Sequence, residues 1–224
     1  PAFAQFTTGG SKDEQDITNW RHRSGTPPSK DDLSHAFAAA FTRADGHTIL
    51  AFGMDRYDTS GDAQLGFWFL AENPQPVASG IFVKGPLPST TPAQHRDGDL
   101  LVLANFSNGG DVPTIQVFKW LNGAPVSQGI CGAVACSGGD VPAVGFCGIT
   151  NAATVDAPWT YEAKDGSTSF PRGAFFEGGI DLTALGLTGC FTGFITESRS
   201  STSITATLKD FADPGTGFNL CRIG

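Results

Sequence analysis

The stretch from Phe52 to Leu70, "FGMDRYDTSGDAQLGFWFL", places three aspartates and an arginine between two strongly apolar segments. Within each segment, large apolar residues recur at every second position, which is typical of β-strands that bury one face. The intervening "YDTSGD" has the aspartate and glycine content of a tight turn. The pattern therefore predicts two antiparallel strands joined as a hairpin.

The register of this predicted hairpin follows from its apolar positions. If Arg56 lies opposite Ala63, one face carries only apolar pairs, namely Met54–Leu65, Phe52–Phe67 and Leu50–Phe69. The other face then carries the pairs Asp55–Gln64, Gly53–Gly66 and Ala51–Trp68. The first face is predicted to be core, and the second has two facing glycines.

Two interpretations of the second face remain open. Facing glycines let a ligand approach the backbone, while a carboxylate, an amide and an indole suit sugar hydroxyls and sugar rings. On this interpretation the ligand site consists of Asp55, Gln64, Trp68 and Trp120. Alternatively, the glycines only make room for a bulky neighbour such as Trp120, and Asp55 forms a salt bridge.

The rest of the chain predicts an all-β fold. Short alternating segments separated by glycine-rich turns dominate, which favours a single antiparallel two-sheet β-sandwich of jelly-roll type, concanavalin-like or laminin-G-like, over residues 1–224. The predicted strands include "HAFAAAFTR", "HTILAFGMDRY", "AQLGFWFLA", "GIFVKG", "DLLVLANF", "TIQVFKWL", "GAFFEGGIDL", "CFTGFITESRS" and "SITATLKDF". A helix over "SKDDLSHAFAAAF" is the competing interpretation of one segment, because "PSKDD" resembles a helix N-terminus.

Charge and hydropathy exclude several classes of partner. The formal net charge is -8, so the chain lacks the basic surface that nucleic acids and anionic membranes require. No apolar run approaches the roughly 20 residues that cross a bilayer, so membrane insertion is not expected. The chain opens at Pro1 without a signal-peptide pattern, which suggests a mature or trimmed N-terminus.

The five cysteines predict disulfides formed in an oxidising compartment. Cys190 and Cys221 flank the last predicted strands and are expected to pair. Cys147 is expected to pair with Cys136, although Cys131 is an alternative partner.

Acidic residues raise two further hypotheses. Asp13, Asp16, Asp31 and Asp32 lie in two Lys-Asp clusters that would hold calcium if the loops converge, although a solvated acidic surface is the alternative. Calcium is the one cofactor that the sequence suggests. If the protein were a glycoside hydrolase or lyase, Glu177, Asp181 and Glu197 would be its best candidate acids.

Several motifs together resemble a known group of proteins. They are "GGSKDEQDITNWRHRSGTPPSKDDLSHAFAAAF", "FGMDRYDTSGDAQLGFWF", "FSNGG", "FFEGGIDL" and "ESRSSTSITATLKDF". This set resembles the N-terminal region of large secreted or wall-anchored bacterial surface proteins of actinobacterial type, which carry prealbumin-like or pilin-like modules. The resemblance implies an all-β module at the cell surface, supports the pairs Cys136–Cys147 and Cys190–Cys221, and implies no reaction.

The function expected from these observations is an extracellular, non-catalytic module that binds a glycan or another surface ligand. A different expectation is a structural subunit of a surface layer or filament, which long edge strands and self-association would favour. A jelly-roll glycoside hydrolase or lyase is the third function that the sequence leaves open.

Overall fold

The computed structural model describes residues 5–7, 15–107, 112–131, 145–157, 159–163, 165–187, 189–213 and 218–222. Within them the chain forms the strands β1 (Gln5–Phe6), β2 (His22–Arg23), β3 (Leu33–Thr42), β4 (Thr48–Arg56), β5 (Ala63–Leu70), β6 (Pro74–Pro76), β7 (Phe82–Lys84), β8 (Leu100–Ser107), β9 (Val112–Leu121), β10 (Ala124–Cys131), β11 (Phe146–Thr150), β12 (Val155–Asp156), β13 (Ser169–Phe170), β14 (Phe175–Asp181), β15 (Gly193–Arg199) and β16 (Leu208–Ala212). Short 3₁₀ helices span Ile17–Asn19, Ser29–Asp31 and Leu220–Arg222.

Two antiparallel sheets pack against each other. The larger sheet has eight strands in the order β10-β9-β8-β5-β15-β16-β1-β2, and the smaller sheet has four in the order β11-β14-β4-β3. The predicted all-β sandwich is confirmed, while its jelly-roll connectivity stays a prediction. The competing helix is wrong, because Ser29–Asp31 makes a single 3₁₀ turn and β3 follows it.

The main core lies between the sheets. Alternate residues of β4 and β5 point into it, and the Phe52 ring lies 4.9 Å from the Phe67 ring and 5.4 Å from the Phe69 ring. Burying an aromatic side chain of this size contributes roughly 1.5–3 kcal/mol. The apolar face predicted for the hairpin is therefore core, as expected.

The predicted hairpin itself is wrong. β4 pairs with β3 and β14 in the smaller sheet, whereas β5 pairs with β8 and β15 in the larger one. Residues 57–62 carry the chain from one sheet to the other, a gap of about 10 Å. The apolar faces of β4 and β5 meet across the core. Their alternating sequence pattern is therefore the same as that of a hairpin, although the two strands share no backbone hydrogen bonds.

A second core covers much of the outer face of the larger sheet. Trp68 on β5 is buried there in one cluster with Trp20 and Phe82, which the segments 15–27 and 74–95 bring over the sheet. Both faces of β5 are thus buried. This is the physical reason for its nearly continuous apolar sequence, "LGFWFL".

The predicted Cys190–Cys221 disulfide is present and ties the segment after β16 to the start of β15. Cys147 is also disulfide-bonded. Its predicted partner, Cys136, lies outside the described residues. In the described part of the chain, no helix is long and apolar enough to span a membrane.

Candidate ligand-binding groove on the smaller sheet

A single row of side chains crosses the smaller sheet on its outer face. Phe37 of β3 lies opposite Gly53 of β4, Gly53 lies opposite Glu177 of β14, and Glu177 lies opposite Ile149 of β11. Their neighbours in sequence face the core, so these four residues face outward. The row combines an aromatic ring, a glycine, a carboxylate and an aliphatic side chain.

The connection between β11 and β14 folds over this row and encloses a groove of about 770 Å³. We call it the aromatic groove; its lining includes Phe37, Ile149, Asn151, Asp156, Trp159, Phe170, Phe175 and Glu177. This volume lies within the usual range of small-ligand sites. The lining is mainly apolar, with polar groups at a few points.

Trp159 is the most accessible aromatic side chain of the groove, with 48% of its surface exposed. Its ring centre lies 5.7 Å from Phe37, 6.0 Å from Phe175 and 6.1 Å from Phe170. These contacts support one side of the indole. The other part of its surface is open to solvent.

Gly53 is required by the position of Phe37. A Cβ atom at residue 53 would overlap the Phe37 ring and the Phe176 carbonyl oxygen. The glycine therefore lets the Phe37 ring lie across β4, where it forms part of the groove floor. The facing-glycine interpretation expected an open depression at Gly53. The Phe37 ring fills this space instead.

A buried carboxylate anchors the connection that carries Trp159. The Tyr161 hydroxyl donates to Asp55 at 2.7 Å, and His35 Nδ1 lies 3.0 Å from the other Asp55 oxygen. Asp55 and Tyr161 are buried, whereas half of the His35 side chain is exposed. The anchor fixes Tyr161, two residues from Trp159, to the outer face of β4.

The anchor perturbs both of its buried acids. Burial raises the pKa of the Asp55 carboxyl above its ordinary value, and the bonds from Tyr161 and His35 offset only part of this effect. Burial, followed by the bond to Asp55, raises the pKa of the Tyr161 hydroxyl. Tyr161 therefore stays a neutral donor at physiological pH.

Asn151 fixes the rim of the groove. Its amide nitrogen donates to the carbonyl oxygens of Ala153, Phe170 and Pro171, and its side-chain oxygen accepts from the Phe175 amide at 2.9 Å. Both the amide nitrogen and the amide oxygen of Asn151 are therefore used in bonds within the rim. Asn151 is a structural residue of the groove.

Glu177, unlike Asn151, has a side chain that is not used in the structure of the rim. It is exposed, and within the described residues its carboxylate has no hydrogen bond and no ion pair. Both oxygens are available to a ligand in the groove. Glu177 and Trp159 therefore provide an acceptor and a stacking surface in the lining of the same groove.

The four residues predicted to form a ligand site are not brought together. Asp55 lies on the outer face of the smaller sheet, while Gln64 and Trp68 lie on the outer face of the larger sheet. Trp68 is only 1% exposed, and His95 lies between it and the half-buried Trp120. The predicted site is wrong because β4 and β5 belong to opposite sheets.

The three candidate acids are also separated. Glu197 is buried on the larger sheet in an ion pair with Arg199. Glu177 and Asp181 share the smaller sheet, but four residues of strand separate their positions by about 13 Å. This exceeds the roughly 5–9.5 Å between the acids of glycoside hydrolases, so these residues do not form such a pair.

The predicted calcium ligands do not converge where they are described. Asp16 caps the 3₁₀ turn Ile17–Asn19 by accepting from Thr18, and Asp31 and Asp32 are buried at the start of β3. Asp13 lies outside the described residues. Among the residues that are described, no three acidic, histidine or cysteine side chains form a metal-binding group.

Sequence reasoning missed Phe37, Phe175 and Trp159 as groove residues. The motif "FFEGG" does place Phe175 and Glu177 on one strand face, and this signal would have located half of the groove. Trp159 lies in an irregular segment, "APWTYEA", that has no periodicity to interpret.

No protein-family model, curated protein or solved structure matches this chain. The groove is therefore interpreted from its own chemistry.

The anchor predicts an unusual pH dependence for the variant Asp55→Asn, whose amide oxygen still accepts from Tyr161. In the wild type, folded Asp55 keeps its proton to higher pH than unfolded Asp does, so its contribution to stability is complete below pH of about 3.9. It is lost as the pH rises through the folded-state pKa. The unfolding free energy of the wild type should therefore fall relative to Asp55→Asn as the pH rises above about 4.

Asp165→Asn, in the same connection, is the control of opposite sign. The Ser167 amide lowers the pKa of the exposed Asp165, so its contribution is present above the unfolded-state pKa and is lost as the pH falls. Denaturant unfolding at several pH values measures both differences. A wild-type to Asp55→Asn difference that does not vary with pH would contradict the assignment.

Proposed function

We propose that the protein is an extracellular, non-catalytic module that binds a neutral glycan in the aromatic groove. The observation that carries this proposal is that one groove is lined both by the half-exposed Trp159 and by the carboxylate of Glu177, which has no partner among the described residues. An indole can stack on the apolar face of a sugar ring, and a carboxylate accepts hydrogen bonds from sugar hydroxyls. The anchored connection holds these two groups in place before the ligand arrives, which limits the entropic cost of binding.

Charge favours a neutral glycan over an acidic one. The chain carries a net charge of -8, and the described residues that line the groove include Glu177 and Asp156 but no lysine or arginine. An anionic sugar would meet repulsion both at long range and in the groove.

The extracellular location is supported by the Cys190–Cys221 disulfide, since such bonds persist mainly in oxidising compartments. Only 16% of residues are charged, which is common among extracellular β-proteins. The resemblance to secreted bacterial surface proteins points to the same location.

Replacement of Trp159 tests the proposal. A glycan array first identifies a neutral oligosaccharide, and calorimetry then compares the wild type with Trp159→Ala. Loss of the stacking surface should weaken binding by at least about tenfold, equivalent to about 1.4 kcal/mol. Glu177→Gln keeps one acceptor oxygen and should lose less.

Val126→Ala is the matched control, because Val126 is similarly exposed but lies on β10 of the larger sheet. Its affinity should equal that of the wild type. Absence of binding to every neutral glycan, or unchanged affinity in Trp159→Ala, would contradict the proposal. Release of reducing sugar from a polysaccharide would instead identify a hydrolase.

A structural subunit of a surface layer or filament is the second candidate, and the edge strands favour it. In the described part of the chain, β10 is an edge of the larger sheet, with Val126 44% and Ile130 64% exposed. Exposed apolar edge strands can pair with a second chain. The ten-residue β3 is an edge of the smaller sheet.

If β10 mediates assembly, the molecular mass from light scattering should rise with protein concentration, and Val126→Lys should return the protein to a monomer. The lysine places a charge on the pairing edge, which opposes strand addition. A wild type that stays monomeric at high concentration would argue against this second candidate.

A further inference from the structure

The outer face of the larger sheet carries a second pocket, remote from the aromatic groove. The second core covers one end of this face, and a pocket of about 280 Å³ remains at the other end. We call it the polar pocket; its lining includes Gln64, Leu103, Asn105, Thr114, Gln116, Ile130, Arg199, Ser201 and Thr202. It is smaller than typical sites for drug-sized ligands.

Strand register assembles the pocket from two adjacent rows. One row runs across four strands as Arg199, Gln64, Asn105 and Thr114. The next row runs as Glu197, Gly66, Leu103, Gln116 and Ile130. Three carboxamides and a hydroxyl therefore lie on one rigid sheet surface, which fixes their relative positions.

These four polar side chains are unusual because they lack side-chain partners in the part of the chain that the structure describes. Gln64, Asn105, Thr114 and Gln116 are only partly exposed, yet none makes a side-chain hydrogen bond within the described residues. The Gln64 side-chain oxygen is fully buried and has no hydrogen-bond partner in the described part of the chain. An unpaired buried polar group is destabilising, so this oxygen is unfavourable for stability alone.

The charges beside the pocket cancel. Arg199 forms an ion pair with Glu197 and also donates to the carbonyl oxygens of Ser203 and Ile204, at 3.1 and 2.8 Å. Gly66 provides the space for this pair, because a Cβ atom there would overlap the Glu197 carboxylate. The accessible chemistry of the pocket is thus that of neutral amides and hydroxyls.

We propose that the polar pocket binds a small uncharged polyol of about monosaccharide size. Each carboxamide offers both a donor and an acceptor, and each ligand hydroxyl does the same, so the two sets can satisfy each other. A charged ligand would find its counter-charge already occupied by the Glu197–Arg199 pair. The site is independent of the aromatic groove, since it lies on the opposite outer face of the sandwich.

The test titrates isotope-labelled protein with glucose, galactose, mannose and N-acetylglucosamine, and with glucuronate and phosphate as charged probes. Side-chain amide signals of Gln64, Asn105 and Gln116 should shift saturably with at least one neutral sugar. Neither charged probe should produce these shifts. Trp159→Ala should bind as the wild type does, which separates this site from the groove.

Asn105→Leu and Gln64→Leu distinguish a ligand site from a structural cluster. Each should weaken sugar binding at least tenfold. Gln64→Leu should also raise the melting temperature in the absence of sugar, because it removes a buried oxygen that has no partner in the described part of the chain. Gln128→Leu, an amide on β10 outside the pocket, is the control and should leave the sugar affinity unchanged.

Each of three results would overturn the proposal. The first is the absence of saturable shifts at these amides with all four neutral sugars. The second is stronger binding of glucuronate or phosphate than of the sugars. The third is unchanged sugar affinity in both leucine variants, or a lowered melting temperature in Gln64→Leu.

Discussion

The contact between Phe52 and Phe67 in the space between the two sheets is the constraint on which the rest of the structure depends. One ring belongs to the smaller sheet and the other to the larger, so the contact joins strands that share no backbone hydrogen bonds. Because side chains alternate along a strand, burying these two rings turns the other faces of β4 and β5 in opposite directions. Asp55 and Gln64 consequently belong to different surfaces of the molecule.

Much of the architecture follows from sequence alone. Local patterns predicted the all-β sandwich, the core face of β4 and β5, and the longer strands except β10 and β11, while the flanking positions of Cys190 and Cys221 predicted their bond. Local patterns do not determine which strands pair. An apolar strand face can be buried either by a hairpin partner with the same pattern or by a facing sheet. The run "LGFWFL" held the missing information, since a strand that is apolar at consecutive positions must be covered on both faces.

The candidate sites were less predictable because they depend on long-range register. Glu177 and Phe37 share a row of the sheet because of two strand pairings, one between β14 and β4 and one between β4 and β3. Trp159 lies in a connection that is held by the bond from Tyr161 to Asp55. The sequence predicted Asp55 as part of a ligand site, whereas in the structure it binds Tyr161 and His35. Its role is to hold the connection that carries the tryptophan, rather than to contact a ligand.

Oxidative footprinting of the four tryptophans tests the central claim most directly, because it reports on the fold and the groove together. In the free protein Trp159 should be modified rapidly, while the buried Trp20 and Trp68 stay unmodified. Addition of a pool of neutral oligosaccharides should protect Trp159. Rapid modification of Trp68, or the same rate at Trp159 with and without the oligosaccharides, would contradict the account.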